Sequence, residues 1–216
     1  MRNRAENQVT LLLIRHGVTK SNREHRYLGR TDEPLSGEGR DRLLKCREGN
    51  CYPDVEVLFT SPMKRCLSTA EILYPDRDPI VIPEWVEMDF GTFEGKNYAE
   101  LNGDKQYQAW IDSNGTLPFP EGESREEFIL RCETGFNRML ETLAKMAACG
   151  KAPETVGMVV HGGTIMSILS KYCGGDYFDY QVTNGDGYVC ILRDGNDSPE
   201  ITNLCKLRVC RDREEV

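Results

Sequence analysis

Three short apolar runs, each stopped by a charged or polar side chain, constrain this sequence more than any other feature. Val9-Thr10-Leu11-Leu12-Leu13-Ile14 stops at Arg15-His16-Gly17, Val55-Glu56-Val57-Leu58-Phe59-Thr60 at Ser61-Pro62, and Val156-Gly157-Met158-Val159-Val160 at His161-Gly162-Gly163. Unbroken apolar runs rich in β-branched residues predict strands covered on both faces. Further strands are expected at Pro79–Ile82 and Tyr188–Leu192. Helical patterns lie between them. Ser36 can cap a helix through Leu43 and Leu44, and Ser61-Pro62 reads as an N-cap and first helical residue. Ser124 and Glu127 form a capping box ahead of a stripe through Phe128, Cys132, Phe136, Met139, Leu140 and Leu143. Thr164–Tyr172 continues as a helix after His161-Gly162-Gly163. The alternation predicts an α/β fold, a three-layer α/β/α sandwich on a mostly parallel central sheet.

Length and charge narrow the options. At 216 residues the chain is expected to form one domain over 1–216, with a polar, Gly- and Pro-broken insertion at about 95–122 carrying Tyr98, Tyr107, Trp110 and Phe119. The 27 Lys+Arg against 35 Asp+Glu give a net charge of −8, which argues against a nucleic-acid partner held through phosphate backbone. No run is long enough to span a bilayer, so no membrane partner is expected, and the polar Met1–Gln8 start suggests a cytoplasmic protein. Nine cysteines include no C-x-x-C; Cys46/Cys51 and Cys205/Cys210 would need two further ligands to hold zinc, so they read as reduced thiols and no metal is expected.

Ligands of open α/β sheets bind beyond the carboxyl ends of the strands. Three such ends here carry Arg15-His16, Ser61 through Arg65, and His161. One charged strand end means little; three that supply two imidazoles and two guanidiniums suit phosphoryl transfer. A neutral imidazole is a nucleophile toward phosphorus, and arginines grip phosphoryl oxygens with forked, charge-assisted hydrogen bonds. The leaving alkoxide needs a general acid, for which Glu87, after the Pro79–Ile82 strand, is the candidate. Burial and a neighbouring phosphate should raise its pKa, while adjacent arginines should keep His16 neutral.

Leu13-Ile14-Arg15-His16-Gly17-x-Thr19-x-x-Asn22 resembles the Arg-His-Gly signature of the histidine phosphatase superfamily, which includes the phosphoglycerate mutases. Gly29-Arg30-Thr31-Asp32-x-Pro34-Leu35-Ser36-x-x-Gly39, Ser61-Pro62-x-x-Arg65-x-x-x-Thr69-Ala70, Glu87-x-x-Phe90-Gly91-x-x-Glu94-Gly95 and His161-Gly162-Gly163 follow in that family's order. The resemblance spans about residues 9 to 192. It implies that His16 becomes phosphohistidine, that Arg15, Arg65 and His161 bind the phosphoryl group, and that Asn22 contacts a phosphoryl oxygen. It also implies that Glu87 protonates the leaving oxygen and then activates water. Gly29 and Gly162 would line the substrate side, and neither cofactor nor metal is implied. Asp89 and Glu94 rival Glu87 for the acid; the family's acid opens its block, which favours Glu87. His25 reads as a loop residue near the entrance and Lys64 as solvated.

Within that family, mutases carry a longer chain, a larger lid and an Arg-Tyr-Gly in the acid block. This chain has Asp89-Phe90-Gly91, and with Pro120-Glu121-Gly122-Glu123-Ser124 it resembles the bacterial α-ribazole phosphatase and broad-specificity phosphatase branch. The implied activity is a metal-independent phosphomonoesterase, with α-ribazole 5′-phosphate of cobalamin synthesis as a candidate substrate whose base the insertion's aromatics could stack on. A phosphoglycerate mutase and a catalytically silent phosphate-binding regulator are the alternatives. The expected partner is a small phosphomonoester, with the chain a monomer or homodimer.

Overall fold

The computed structural model describes residues 8–195, 198–207 and 209. β1 (Gln8–Arg15), β2 (Val57–Thr60), β3 (Ile80–Val81), β4 (Thr155–Val160), β5 (Gly187–Asp194) and β6 (Pro199–Leu207) form one sheet in the order β3-β2-β4-β1-β5-β6. The first four are parallel; β5 runs antiparallel to β1, and β6 antiparallel to β5.

Along β1, successive side chains alternate between faces, and Leu11, Leu12, Leu13 and Ile14 are all fully buried. Leu11 and Leu13 pack with Met158 and Val160 under α5 (Arg125–Ala148) and α6 (Gly162–Cys173), against Phe136, Met139 and Ile165. Leu12 and Ile14 pack with Leu58 and Val159 on the opposite face, against Leu43 of α2 (Gly37–Glu48) and Cys66 and Ala70 of α3 (Lys64–Leu73). Helices therefore cover both faces, making the three-layer sandwich. Each fully buried Leu, Ile, Val, Phe or Met side chain contributes about 1.5–3 kcal/mol by leaving water.

Parallel register sets the site. Arg15 lies opposite Val160 and Thr60 opposite Val159, so the carboxyl ends of β1, β4 and β2 are level. The next residues, His16, His161 and Ser61, emerge at one edge of the sheet.

Capping follows the sequence at two helices. Ser36 Oγ accepts from Gly39 N at 3.0 Å, and Ser124 and Glu127 bond reciprocally. It does not at α3, where Met63 is the N-cap and lacks a side-chain bond. Ser61, which reads as that cap, is fully buried, and its Oγ lies 2.8 Å from His161 Nε2. β3 is only Ile80–Val81, confined between Pro79 and Pro83 on the sheet edge. β6 has no counterpart among the expected strands. Val189 pairs Cys205 and Ile191 pairs Thr202, so β6 carries one extra residue, and Asn203 takes φ +53° there. That bulge breaks the two-residue alternation.

Residues 95–122 hold α4 (Lys105–Asp112), capped by Asp104 Oδ1 on Gln106 N and Tyr107 N. Phe93, Leu101 and Phe119 form a small separate core with Met88 and with Phe128 and Cys132 of α5, flanked by Tyr27, Tyr107 and Trp110. Cys210 lies outside the described residues, as do residues 1–7. Among the described residues no three His, Cys, Asp or Glu side chains gather as a metal would require, and no helix is long and apolar enough to cross a membrane.

Candidate active site

His16 leaves β1 with its amide donating to Val160 O at 2.9 Å and its side chain 3% exposed. Its Nδ1 lies 2.8 Å from Gly17 O. A carbonyl only accepts, so Nδ1 carries the proton and the Nε2 lone pair is left for a ligand. The His161 ring stands 5.2 Å away, edge to face at 68°. His161 is fully buried between Ser61 Oγ and the Cys66 thiol, whose Sγ is 3.6 Å from Nε2.

Two arginines flank the imidazoles. Arg15 Nη1 donates to Val182 O at 2.7 Å; Arg65 Nη1 and Nη2 donate to Thr31 O and Gly29 O at 2.9 and 2.8 Å. Nε of each is buried with no acceptor among the described residues. A buried cationic N–H without an acceptor is costly and rare in native folds, so both donors suit an incoming anion.

Thr19 and the short α1 (Lys20–Arg23) place Asn22. Its Oδ1 accepts from Thr19 N at 3.2 Å and from Asn184 Nδ2 at 3.0 Å. The oxygen is thus taken, and the amide NH₂ is what Asn22 offers the cavity it lines.

Glu87 is 8% exposed, with Oε1 accepting from Met88 N at 2.9 Å. A Cβ on Gly163 would fall 2.6 Å from that Oε1, so glycine there admits the carboxyl to the start of α6. Arg131 of α5 fixes the loop by donating to the carbonyls of Glu84, Val86 and Glu87, with its other edge on Glu123.

These residues border two adjoining cavities. A polar chamber of about 250 Å³ is lined by His16, Asn22, His25 and Arg26, and an apolar one of about 370 Å³ by Met88, Trp110, Phe119, Met166 and Val182. Arg15, Tyr27, Glu87 and Phe90 belong to both. Gly162 lines the apolar chamber; Arg65 and His161 stand fully buried and line neither.

Burial pushes the His16 imidazole well below its ordinary pKa, with Arg65 and then Arg15 adding to it. His161 is lowered in the same way, first by burial, then by Arg65 and His16. Glu87 is raised, because burial outweighs the Met88 N–H and the two arginines. The arginines expected to keep His16 neutral therefore act second to desolvation.

Gly29, expected on the substrate side, is engaged with the protein itself. It lines neither chamber: its N–H is taken by Glu94 and its carbonyl by Arg65. Glu94 also accepts from Thr31 N, and Asp89 Oδ1 accepts from Gly91 N, so both rivals to Glu87 are engaged with backbone. His25 is exposed at the rim, and Lys64 is exposed and 3.6 Å from Asp32. Of the aromatics in residues 95–122, Tyr98 is 69% exposed at the polar chamber and Tyr107 packs against the small core, leaving Trp110 and Phe119 on the apolar wall. Sequence reasoning missed Ser61's bond to His161, Asn184, and the wall formed by Arg125, Tyr177, Gln181 and Val182. Asn184-Gly185-Asp186-Gly187 carries a turn signal and nothing that announces a site.

A level set of strand ends, an imidazole with a free lone pair and two unsatisfied cationic donors define a phosphatase or phosphotransferase enzyme. The chain belongs to the histidine phosphatase superfamily, branch 1, whose model matches residues 11–204. It is 27% identical over 192 residues to a 2,3-bisphosphoglycerate-dependent phosphoglycerate mutase of Bifidobacterium longum, covering 74% of this chain and 75% of that one. It is 29% identical over 166 residues to the uncharacterized phosphatase PhoE of Bacillus subtilis, covering 76% and 77%. The fold superposes on the α-ribazole phosphatase of Shigella flexneri with a TM-score of 0.74 at 20% identity, covering 95% and 100%.

Proposed function

We propose that the chain is a phosphomonoesterase working through phosphohistidine on His16, acting on esters whose alcohol part is bulky and apolar. The observation that carries this is the pair of buried, acceptor-less Nε donors on Arg15 and Arg65 beside a neutral imidazole. His16 Nε2 forms a bond to phosphorus as the ester P–O bond breaks, and protonated Glu87 gives its proton to the leaving oxygen. Water then loses a proton to the Glu87 carboxylate and attacks phosphorus; the N–P bond breaks, returning phosphate, neutral His16 and protonated Glu87. Arg15, Arg65, His161 and the Asn22 amide are the groups available to the phosphoryl oxygens, where charge develops.

Met88, Trp110, Phe119, Met166 and Val182 offer the alcohol part an apolar surface next to Glu87. α-Ribazole 5′-phosphate, with its aromatic base, is one such ester, and the Shigella protein bears that substrate's name. The whole chain would act as one domain, with the insertion as a lid. A mutase reading draws on the Bifidobacterium relative, but phosphoglycerate has no apolar part for this chamber.

The test is phosphate release, in EDTA, from α-ribazole 5′-phosphate, p-nitrophenyl phosphate and 3-phosphoglycerate. Hydrolysis of the bulky esters supports the reading. A requirement for added metal, or conversion of 3-phosphoglycerate to 2-phosphoglycerate faster than phosphate appears, overturns it.

A further inference from the structure

The apolar chamber meets a third cavity, an outer groove of about 590 Å³, and Arg125, Tyr177 and Phe178 line both. Arg15 and Glu87 are shared instead with the His16 chamber. The three spaces therefore follow one another, from the nucleophile through the apolar chamber to Arg125.

Arg125 is placed against local preference. It is the first residue of α5, the positive end of the helix dipole, where a cation is disfavoured. Among the described residues it forms no ion pair with a carboxylate. Its guanidinium rests 5.7 Å from the Tyr177 ring centre and 5.9 Å from that of Phe178. Those rings meet edge to face at 5.2 Å, and Tyr177 Oη donates to Gly163 O, tying the pair to α6. Asp176 and Asp179 share the outer groove, but they cap their own turn, with Asp179 Oδ2 accepting from Asp176 N. Ring contacts hold a guanidinium without using its N–H donors, which stay available to an anion.

We infer that Arg125 determines specificity by binding a second anionic group, a carboxylate or phosphate, on the end of the substrate remote from the transferred phosphoryl group. This rests on the phosphomonoesterase reading and narrows it to an apolar alcohol that carries an acid. α-Ribazole 5′-phosphate lacks such a group and would be a poorer substrate than an acidic ester of similar size. Charge attraction and the fork geometry both favour a planar carboxylate over a neutral group.

The experiment compares 4-carboxyphenyl phosphate with phenyl phosphate in the wild type, Arg125→Gln and Arg125→Lys. Wild type should prefer the carboxylated ester by about tenfold or more in kcat/KM. Arg125→Gln should bring the ratio to within about twofold of unity, through KM for the carboxylated ester, and Arg125→Lys should keep part of it. Leaving-group chemistry is the same in all three proteins, so the change in ratio isolates Arg125. Calorimetric titration with 4-carboxyphenylphosphonate and phenylphosphonate should show the same preference without turnover. A wild-type ratio near unity, or one that Arg125→Gln leaves unchanged, overturns the inference. Hydrolysis of neither ester overturns the phosphatase reading instead, while the titration still decides the role of Arg125.

Discussion

Gly29 O accepts a hydrogen bond from Arg65 Nη2 at 2.8 Å, although the two residues are 36 positions apart. Thr31 O takes the other terminal nitrogen, and Glu94 holds the loop by accepting from both Gly29 N and Thr31 N. Glu94 thus fixes the loop and the loop fixes the guanidinium.

A Cβ at Gly29 would lie 2.0 Å from Met88 O, so Gly29→Ala must displace backbone next to Glu87. We expect a loss of about 1–3 kcal/mol in denaturant unfolding, together with about tenfold or more in kcat/KM as Arg65 shifts. Gly162→Ala is the contrast, because its Cβ meets Arg15 at an ordinary 3.5 Å and the stability cost should be much smaller.

His16→Ala removes the proposed nucleophile, and turnover should fall by at least about 1000-fold. Rapid quenching of the wild type with a labelled phosphate ester should trap an acid-labile, base-stable label on the protein. A label that persists in His16→Ala would assign the nucleophile elsewhere.

Glu87→Gln should slow alkyl phosphates by about 100-fold or more, and phosphorylation by p-nitrophenyl phosphate far less, because nitrophenolate leaves without a proton. The raised pKa of Glu87 also has a sign. The acid works only while protonated, so kcat/KM for alkyl phosphates should fall as pH rises through that pKa. With p-nitrophenyl phosphate that alkaline limb should flatten; equal limbs for both esters would remove Glu87 from the acid role.

Ser61→Ala leaves His161 Nε2 buried beside the Cys66 thiol and without its 2.8 Å hydrogen bond. About 1–3 kcal/mol of stability should go, and kcat should fall while KM holds if the bond orients His161 for the transition state. A change in KM alone would place Ser61 in ground-state binding.

Both histidines are held well below their ordinary pKa of 6.5 by burial. Below that value the unfolded chain takes up protons that the folded one refuses, so stability should fall with acidity by up to about 1.4 kcal/mol per pH unit for each histidine. Glu87, raised on folding, acts in the opposite direction, but it is one group against two. Denaturant midpoints at pH 7 and about pH 5.5 should show the loss, and His161→Gln should reduce it. A variant with the wild-type pH slope would mean that His161 is charged in the folded state.

How far the site was legible depended on how local each signal is. Arg15, His16, Arg65, Glu87 and His161 stand at strand ends or in short blocks, where residue type and position already suggest chemistry. Ser61 was legible as a polar residue before a helix but not as the partner of His161, which lies 100 positions away. Asn184, Arg125 and Tyr177 sit in stretches that read as turn, helix start and loop. β6 escaped because its bulge at Asn203 shifts the pairing by one residue and erases the alternation by which a strand is recognised.

The sequence by itself determined the α/β layering, the strands that end in cations and imidazoles, and thereby the phosphoryl chemistry. These follow from periodicity and from neighbours along the chain. Only the tertiary structure decided that β1, β2 and β4 end level, that Gly29 O holds the Arg65 guanidinium, and that the space beside His16 divides into a polar and an apolar chamber leading to Arg125. Register, desolvation and cavity walls are set by side chains far apart in sequence packing at fixed distances, and no local pattern encodes those distances.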